Sequence, residues 1–108
     1  MAKTDAEVLA RLYEVIEKRR GGDPGKSYVA KRLSQGTHKI AQKVGEEAVE
    51  CALAAVDGGR DALVSESADL LFHLLILWAD AGIKPADVYA ELAGREGVSG
   101  HDEKRSRG

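Results

Sequence analysis

The chain has 108 residues, of which 16 are lysine or arginine and 18 are aspartate or glutamate, so its formal net charge is −2 at pH 7. This length suits one small domain, and the near balance of charge excludes the broad basic surface typical of proteins that bind nucleic acid or anionic membranes. The N-terminal sequence lacks the apolar segment of a signal peptide, and the longest apolar run, residues 70–79, is too short to cross a bilayer. We therefore expect a cytoplasmic protein with neither nucleic acid nor membrane as a partner.

Apolar residues recur at helical spacing along the chain, and no strand-like alternation interrupts them. The first predicted helix begins with a capping box formed by Thr4 and Glu7 and ends near Arg19, before a glycine-rich loop. Ser27 is expected to cap a short second helix that runs to about Gln35. These patterns predict an all-α fold, a small bundle of four to five helices.

The third and fourth predicted helices form a hairpin at the centre of the bundle. Thr37 is expected to cap the third helix, which spans about residues 38–56, and the fourth spans about residues 61–81. Between them, residues 57–59 read Asp-Gly-Gly, a typical signal for a helix stop and a turn. The two helices are therefore predicted to run antiparallel.

The fifth predicted helix begins at Pro85, which suits the first position of a helix, and ends at Gly94. Residues 1–94 are predicted to form a single helical domain. Residues 95–108 form a polar tail that we expect to order only against a partner or ligand.

The fourth helix is apolar on almost every side over its second half, which predicts burial on all sides. Five short helices in one small chain can hardly cover it, so we expect a homodimer in which this helix packs against its mate. An aspartate at Leu75 or Ile76 would then unfold the protein rather than release a stable monomer. His73, inside the apolar run, is expected to be a hydrogen-bonded core residue rather than a ligand.

Two acidic clusters lie on the hairpin: Glu46, Glu47 and Glu50 on the third helix, and Glu66 and Asp69 on the fourth. Residues three apart share a helix face, and both clusters border the apolar flank that packs. Either cluster alone is more often solvated surface. Two on antiparallel neighbours indicate a site, because like charges so close resist ionisation unless a cation is present. Ligands that are all oxygens suit Mg²⁺ or Mn²⁺ rather than Zn²⁺.

Four basic residues precede or accompany the first acidic cluster. Lys39 and Lys43 share a helix face with Glu47, which fits either intrahelical ion pairs or ammonium groups that meet phosphate oxygens. Lys31 and Arg32 on the second helix are either ordinary surface charge or a phosphate contact. A carboxylate site with neighbouring lysines and no P-loop favours metal-assisted phosphate hydrolysis.

The motifs GTHKIAQKVGEEAVE (residues 36–50) and ESADLLFHLLIL (residues 66–77) resemble those of the phosphoribosyl-ATP pyrophosphohydrolase family, a branch of the MazG-like all-α nucleotide pyrophosphohydrolase superfamily. The resemblance runs from about residue 5 to residue 93. It implies hydrolysis of the α–β phosphoanhydride of phosphoribosyl-ATP to phosphoribosyl-AMP and pyrophosphate, the second step of histidine biosynthesis. Mg²⁺ is the implied cofactor, with Mn²⁺ able to replace it.

The resemblance also implies roles for individual residues. Four carboxylates match the metal ligands of the family: Glu47, Glu50, Glu66 and Asp69. Glu46 matches an extra acidic position that orients the water or holds a second ion, and Lys43 matches a basic residue before the glutamates. Val29 stands where the family often has threonine, so no hydroxyl role is expected there.

Two other functions fit parts of the same pattern. One is a house-cleaning nucleoside triphosphate pyrophosphohydrolase, which a substrate panel would distinguish. The other is a non-catalytic helical dimerisation module whose acidic faces are solvated, which the absence of stabilisation by metal would reveal.

Overall fold

The computed structural model describes residues 4–97, and this part of the chain contains helices and no strands. Five α-helices follow one another along the chain: α1 (Val8–Arg19), α2 (Tyr28–Ser34), α3 (Thr37–Leu53), α4 (Gly59–Ala81) and α5 (Pro85–Ala93). A π-helical turn, Ala54–Gly58, joins α3 to α4. The all-α prediction is confirmed. Of the predicted polar tail, residues 95–97 form a turn, and the remainder lies outside the described residues.

The start of α1 differs from the predicted capping box. Glu7 stands at the N-cap without a side-chain cap, and Asp5 supplies the acceptor instead. The Oδ1 atom of Asp5 accepts from the backbone N–H of Glu7 at 3.1 Å and from Nη1 of Arg11 at 3.2 Å. The Thr4–Glu7 box is therefore wrong, because an aspartate readily captures the N–H two residues further on.

The junction between α2 and α3 follows the prediction at one end only. The hydroxyl of Ser27 caps α2 by accepting from the backbone N–H of Ala30 at 3.1 Å, as expected. Gly36, with φ of 91°, is the N-cap of α3, so the expected cap at Thr37 is wrong. Thr37 is instead the first residue of α3, and its hydroxyl donates to Oδ2 of Asp80 at 2.6 Å. This bond ties the start of α3 to the end of α4.

Two glycines make the reversal between α3 and α4 possible. The α-helix ends at Leu53, three residues earlier than expected, and α4 begins at Gly59, two residues earlier. Gly59 has φ of 78° and ψ of −178°, a combination that only glycine adopts without strain. A Cβ atom on Gly58 would lie 2.9 Å from the Cβ of Ala62. The turn therefore requires a glycine at both positions.

By length and composition alone, the stretch Thr37–Ala81 passes as a membrane span. It is not one straight helix, because the glycine turn folds it into two antiparallel helices that pack on each other. A core helix of a soluble protein passes the same test. Within α4, the buried residues are His73, Leu75, Ile76 and Ala79.

The hydrophobic core lies where α1, α2 and the start of α3 meet the second half of α4. Its most buried members are Ile16, Val29, Ile40, Leu75, Ile76 and Ala79. Leu75 is 0% exposed and Ile76 is 1% exposed, so the single chain already covers both. Because α1 and α2 pack around this half of α4, neither side chain is left for a second copy to cover. The packing of α4 against a mate stays a prediction. An aspartate there would unfold the core in any assembly state.

The distal half of the hairpin has no such cover. The π-helical turn packs mainly on α3 and α4 rather than on the other helices. Four aliphatic residues on or near it are each more than half exposed: Val49, Leu53, Val56 and Val64. We call these four residues the hairpin-tip face. Its apolar surface remains open to solvent in a single chain.

Replacing Gly59 with alanine should destabilise the fold, because a Cβ atom disfavours the backbone angles of this residue. We expect the free energy of unfolding to fall by about 1–3 kcal/mol, measured by urea denaturation followed by circular dichroism. Gly45 is a matched control within α3, where a new Cβ atom meets nothing within 4 Å. Gly45→Ala should keep or raise stability. Unchanged stability of Gly59→Ala would contradict the geometry of the turn.

Candidate metal and phosphate site

The antiparallel packing of α3 on α4 brings one carboxylate of α3 against two of α4. Oxygen atoms from Glu47, Glu66 and Asp69, one from each residue, all lie within 4.8 Å of one another. We call these three residues the carboxylate cluster. Glu47 is buried, Glu66 is half-buried and Asp69 is exposed, so the cluster opens to solvent on the side of Asp69.

Two oxygens of the carboxylate cluster lack the partners that buried polar atoms normally have. Glu47 is only 7% exposed. The Oε2 atoms of Glu47 and Glu66 are buried without a hydrogen-bond partner in the part of the chain that the structure describes. Buried carboxylates without compensation are costly. The cluster therefore needs a positive group that these residues alone do not supply.

The charges around Glu66 also indicate that the carboxylate cluster needs a cation. Burial raises the pKa of the Glu66 carboxyl, and the negative charges of Glu50, Asp69 and Glu47 raise it further. Neighbouring carboxylates resist joint ionisation unless a cation offsets their repulsion. An oxygen-only ligand set with surplus negative charge fits a divalent cation such as Mg²⁺ or Mn²⁺.

Glu50 stands at the edge of the carboxylate cluster rather than within it. Its side chain is exposed. The negative charge of Glu50 is one of the causes that raise the pKa of the Glu66 carboxyl. The structure thus brings three of the four expected ligands into one group and places the fourth beside it.

Lys43 lies one turn before the cluster on α3 and is largely covered, with its side chain 23% exposed. Its Nζ atom is 3.5 Å from Oε1 of Glu46 and 3.6 Å from Oε1 of Glu47. Both pairs are intrahelical, as expected if the lysines of α3 form ion pairs within the helix. The contact to Glu47 also places the ammonium group at the border of the carboxylate cluster.

Glu46 is separate from the carboxylate cluster and remains exposed. A hydrogen bond from Nε2 of Gln42 at 2.9 Å lowers the pKa of Glu46, and the charges of Lys43 and Lys39 lower it further. Glu46 is therefore held in its ionised form beside the cluster. Lys39 is exposed and acts on Glu46 through charge alone among the interactions described.

A tyrosine that sequence reasoning gave no role contacts His73, the residue one helical turn after Asp69 on α4. The hydroxyl of Tyr28, on α2, is 2.8 Å from Nε2 of His73, and Nδ1 of His73 is 2.8 Å from the backbone oxygen of Asp69. His73 is 7% exposed, so it is the hydrogen-bonded core histidine that we expected. The sequence did contain one indication for Tyr28. It stands four residues before Arg32, and this spacing places both residues on one face of α2.

Arg32 and Lys31 stand on α2 in different surroundings. The guanidinium of Arg32 lies over the Tyr28 ring, with its carbon 4.9 Å from the ring centre, and Nη1 donates to Oε1 of Gln35 at 2.7 Å. Nε of Arg32 is buried without a partner among residues 4–97. Lys31 is exposed. Neither residue touches the carboxylate cluster in the contacts described.

Residues 9–96 match a family model described as phosphoribosyl-ATP pyrophosphohydrolase, and this span includes every acidic and basic residue of the candidate site. The chain belongs to the phosphoribosyl-ATP pyrophosphohydrolase family. The resemblance seen in its two motifs is therefore confirmed.

Relatives from three bacteria agree with this assignment. The chain is 60% identical to a phosphoribosyl-ATP pyrophosphatase of Paramagnetospirillum magneticum over 95% of its own length and 94% of the relative. It is 58% identical to a protein of the same name from Azospirillum brasilense over 97% and 95% of the two chains. It is 54% identical to a protein of that name from Gluconobacter oxydans, over 93% of its own length and 75% of the relative. This family member thus aligns with its relatives over nearly its whole length.

Mg²⁺ should stabilise the protein, because it supplies the positive charge that the carboxylate cluster lacks. At an Mg²⁺ concentration one hundred times the dissociation constant, we expect the free energy of unfolding to rise by about 2.7 kcal/mol. The measurement is the shift of the thermal midpoint between MgCl₂ and EDTA at matched ionic strength. Glu47→Gln should lose most of this shift and, without metal, be at least as stable as the wild type, because it removes a buried charge.

Glu46→Gln is the matched control for this measurement, since Glu46 is the exposed neighbour of Glu47 outside the cluster. It should keep most of the stabilisation by Mg²⁺. Equal shifts in the wild type and in Glu47→Gln would show that the ion binds elsewhere.

Proposed function

We propose that the protein hydrolyses the α–β phosphoanhydride of phosphoribosyl-ATP to phosphoribosyl-AMP and pyrophosphate, the second step of histidine biosynthesis. The observation that carries the proposal is the buried and incompletely compensated carboxylate cluster, found within a chain that matches this family over residues 9–96. Its small-molecule substrate is a soluble nucleotide. We accordingly place the protein in the cytoplasm, with neither nucleic acid nor membrane as a partner.

Glu47, Glu66 and Asp69 would hold Mg²⁺, and Glu50 stands where it can join them. When bound, the ion offsets the charge of phosphate oxygens and makes water a better nucleophile. Mn²⁺ has similar preferences for oxygen ligands and is expected to substitute. The buried Glu47 argues against a non-catalytic module, since that interpretation required acidic faces that are solvated.

The chain's own residues contribute binding and orientation. Lys43, held at the border of the cluster by Glu46 and Glu47, can meet phosphate oxygens with its ammonium group. Lys39 extends the same positive face of α3. Glu46 is ionised and solvent-exposed, so it can accept a hydrogen bond from the attacking water. These roles make Glu46 and Lys43 the proposed catalytic residues.

Glu47→Gln or Glu50→Gln should remove most activity while leaving helicity unchanged. Loss of one group that stabilises charge in the transition state costs about 10²- to 10³-fold in kcat. The measurement is release of pyrophosphate from phosphoribosyl-ATP at saturating Mg²⁺, with circular dichroism as the check on folding. Near-normal turnover by both variants would refute the assignment of the site.

Arg32→Ala should weaken the use of phosphoribosyl-ATP, because the phosphate on the second ribose needs a basic partner distinct from Lys43. A charge-assisted contact of this kind corresponds to about ten- to a hundredfold in kcat/KM. Slow hydrolysis of ATP should be nearly unchanged, since ATP lacks that phosphate. Equal losses on both substrates would place Arg32 at the triphosphate instead.

Lys31→Ala is the matched control for Arg32, since it removes the adjacent charge on α2 without disturbing the contact to Tyr28. A larger loss in Lys31→Ala than in Arg32→Ala would transfer the role to Lys31. If neither variant loses selectivity, the basic partner lies elsewhere. The basic residues Lys104 and Arg105 would then be next to test, although they lie outside the described residues.

We also propose a homodimer, formed through the hairpin-tip face. The support is its exposed aliphatic surface, with Val56 78% exposed and Leu53 57% exposed. Isolated apolar residues on a surface are ordinary, but four gathered at one end of a hairpin are typical of an interface. The interface proposed here differs from the one expected at Leu75 and Ile76, which the core of one chain covers.

Leu53→Asp should convert the dimer to a folded monomer, because the residue is exposed in one chain and would bury a charge between two. Sedimentation velocity at micromolar concentration gives the mass, and circular dichroism gives the helicity. Val15→Asp, on an exposed position of α1, is the control and should leave the assembly unchanged. A wild type that sediments as a monomer would contradict the proposal.

A further inference from the structure

Three residues form a continuous chain of contacts beside the carboxylate cluster: His73 on α4, then Tyr28 and Arg32 on α2. We propose that His73 and Tyr28 are positioning residues that fix the guanidinium of Arg32 for the second phosphate of the substrate. This inference rests on the proposed function, because it concerns how that substrate is distinguished from ATP.

The hydrogen bonds of His73 determine the direction of the Tyr28 hydroxyl. A backbone carbonyl only accepts, so Nδ1 of His73 donates to the oxygen of Asp69. In the neutral ring Nε2 then carries a lone pair, and the Tyr28 hydroxyl donates to it at 2.8 Å. Because His73 is 7% exposed, little water competes for this bond. One end of the tyrosine is thus anchored to α4.

Two neighbouring rings, those of His73 and Phe72, contact the ring of Tyr28. The His73 ring stands edge-on to it at 89°, with the centres 5.8 Å apart, and Phe72 packs against it with the ring centres 6.3 Å apart. An anchored hydroxyl and two ring contacts leave the tyrosine with little rotational freedom. Tyr28 is nevertheless 44% exposed, so part of its ring remains available on the surface of α2.

Arg32 packs on the ring of Tyr28. Its guanidinium lies 4.9 Å from the centre of the Tyr28 ring, and Gln35 accepts from Nη1 at 2.7 Å. A planar cation held by a ring and by one hydrogen bond has a restricted orientation. Arginine has five N–H donors, and Gln35 engages one nitrogen, so donors remain for an anion. The Nε atom also has no partner among the described residues, but it is buried, so the donors offered to an anion are those of the terminal nitrogens.

The location of this chain of contacts suits a second anionic group of one substrate. Asp69 belongs to the carboxylate cluster through its side chain and binds His73 through its backbone oxygen. His73 therefore lies about one turn of α4 from the cluster, a rise of about 6 Å over four residues. A nucleotide whose triphosphate meets the cluster would have to extend past His73 and Tyr28 to bring a further phosphate to Arg32.

A purely structural role for Tyr28 makes a different prediction from a positioning role. If the tyrosine only ties α2 to α4, its loss lowers stability and affects both substrates alike. If it acts through Arg32, its loss affects phosphoribosyl-ATP selectively, and the loss disappears once Arg32 is absent. Selectivity between substrates and coupling between the two residues therefore distinguish the roles.

The test is a double-mutant cycle of Tyr28→Leu and Arg32→Ala in the full-length protein with Mg²⁺, with kcat/KM measured on phosphoribosyl-ATP and on ATP. Tyr28→Leu should lower the selectivity for phosphoribosyl-ATP about two- to fivefold, the range of a solvent-exposed cation–π contact. In the Arg32→Ala background the same change should have no further effect. Tyr89→Leu, a partly exposed tyrosine on α5, is the control and should leave selectivity unchanged.

Tyr28→Phe distinguishes the contribution of the hydroxyl from that of the ring. It also provides the test if Tyr28→Leu does not fold. It keeps the surface under Arg32 but loses the bond to His73. We expect a selectivity loss of about twofold or more, raised KM for phosphoribosyl-ATP with kcat little changed, and again no effect without Arg32. Multiplicative losses in the cycle, or equal losses on both substrates, would overturn the inference.

The outcome separates this inference from the proposed function. Failure of the wild type to hydrolyse phosphoribosyl-ATP would overturn both. An active wild type that Glu47→Gln inactivates, with independent effects of Tyr28 and Arg32, would overturn the positioning role alone.

Discussion

The register of α3 on α4 is the constraint on which the site depends, because a shift of either helix would separate Glu47 from its two partners on α4. Three features hold this register. The Thr37–Asp80 hydrogen bond stands at one end, a 3.5 Å contact between Cys51 and Ser67 lies along the hairpin, and the glycine turn closes the other end. Carboxylates that repel one another are thus held together by contacts outside the cluster.

The two halves of α4 have different physical roles. The second half carries the hydrophobic core, where Leu75 and Ile76 are almost fully buried, and supplies the stability that holds the bundle. The first half carries the acidic residues and part of the hairpin-tip face, which contribute little to stability in one chain. Crowded acids without a cation reduce the stability of the fold, so a site of this kind depends on the core packed beside it.

Periodicity predicted the helices well because burial of apolar residues decides where they form, and the bounds of α1, α2 and α5 lie within a few residues of expectation. Caps were less predictable, since Asp5 and Gly36 compete with neighbouring candidates for the same backbone groups. Spacing indicated two acidic clusters on the hairpin, and the family resemblance chose Glu47, Glu50, Glu66 and Asp69 from them as the expected ligands. The contact of Tyr28 with His73 joins residues 45 positions apart, so no local pattern could reveal it. Likewise, local composition could not tell that α1 and α2 cover Leu75.

The short connection between α3 and α4 has a consequence for the order of folding. Closing a short loop costs less chain entropy than closing a long one. The contacts of α1 with the region after α4 join residues far apart in sequence, such as Tyr13 and Ile83, which are 70 residues apart. Local pairing of the hairpin is therefore favoured before the core is complete. The acidic side chains then meet while solvent still surrounds them, so a dissolved divalent ion would reduce their repulsion already in the collapsing chain.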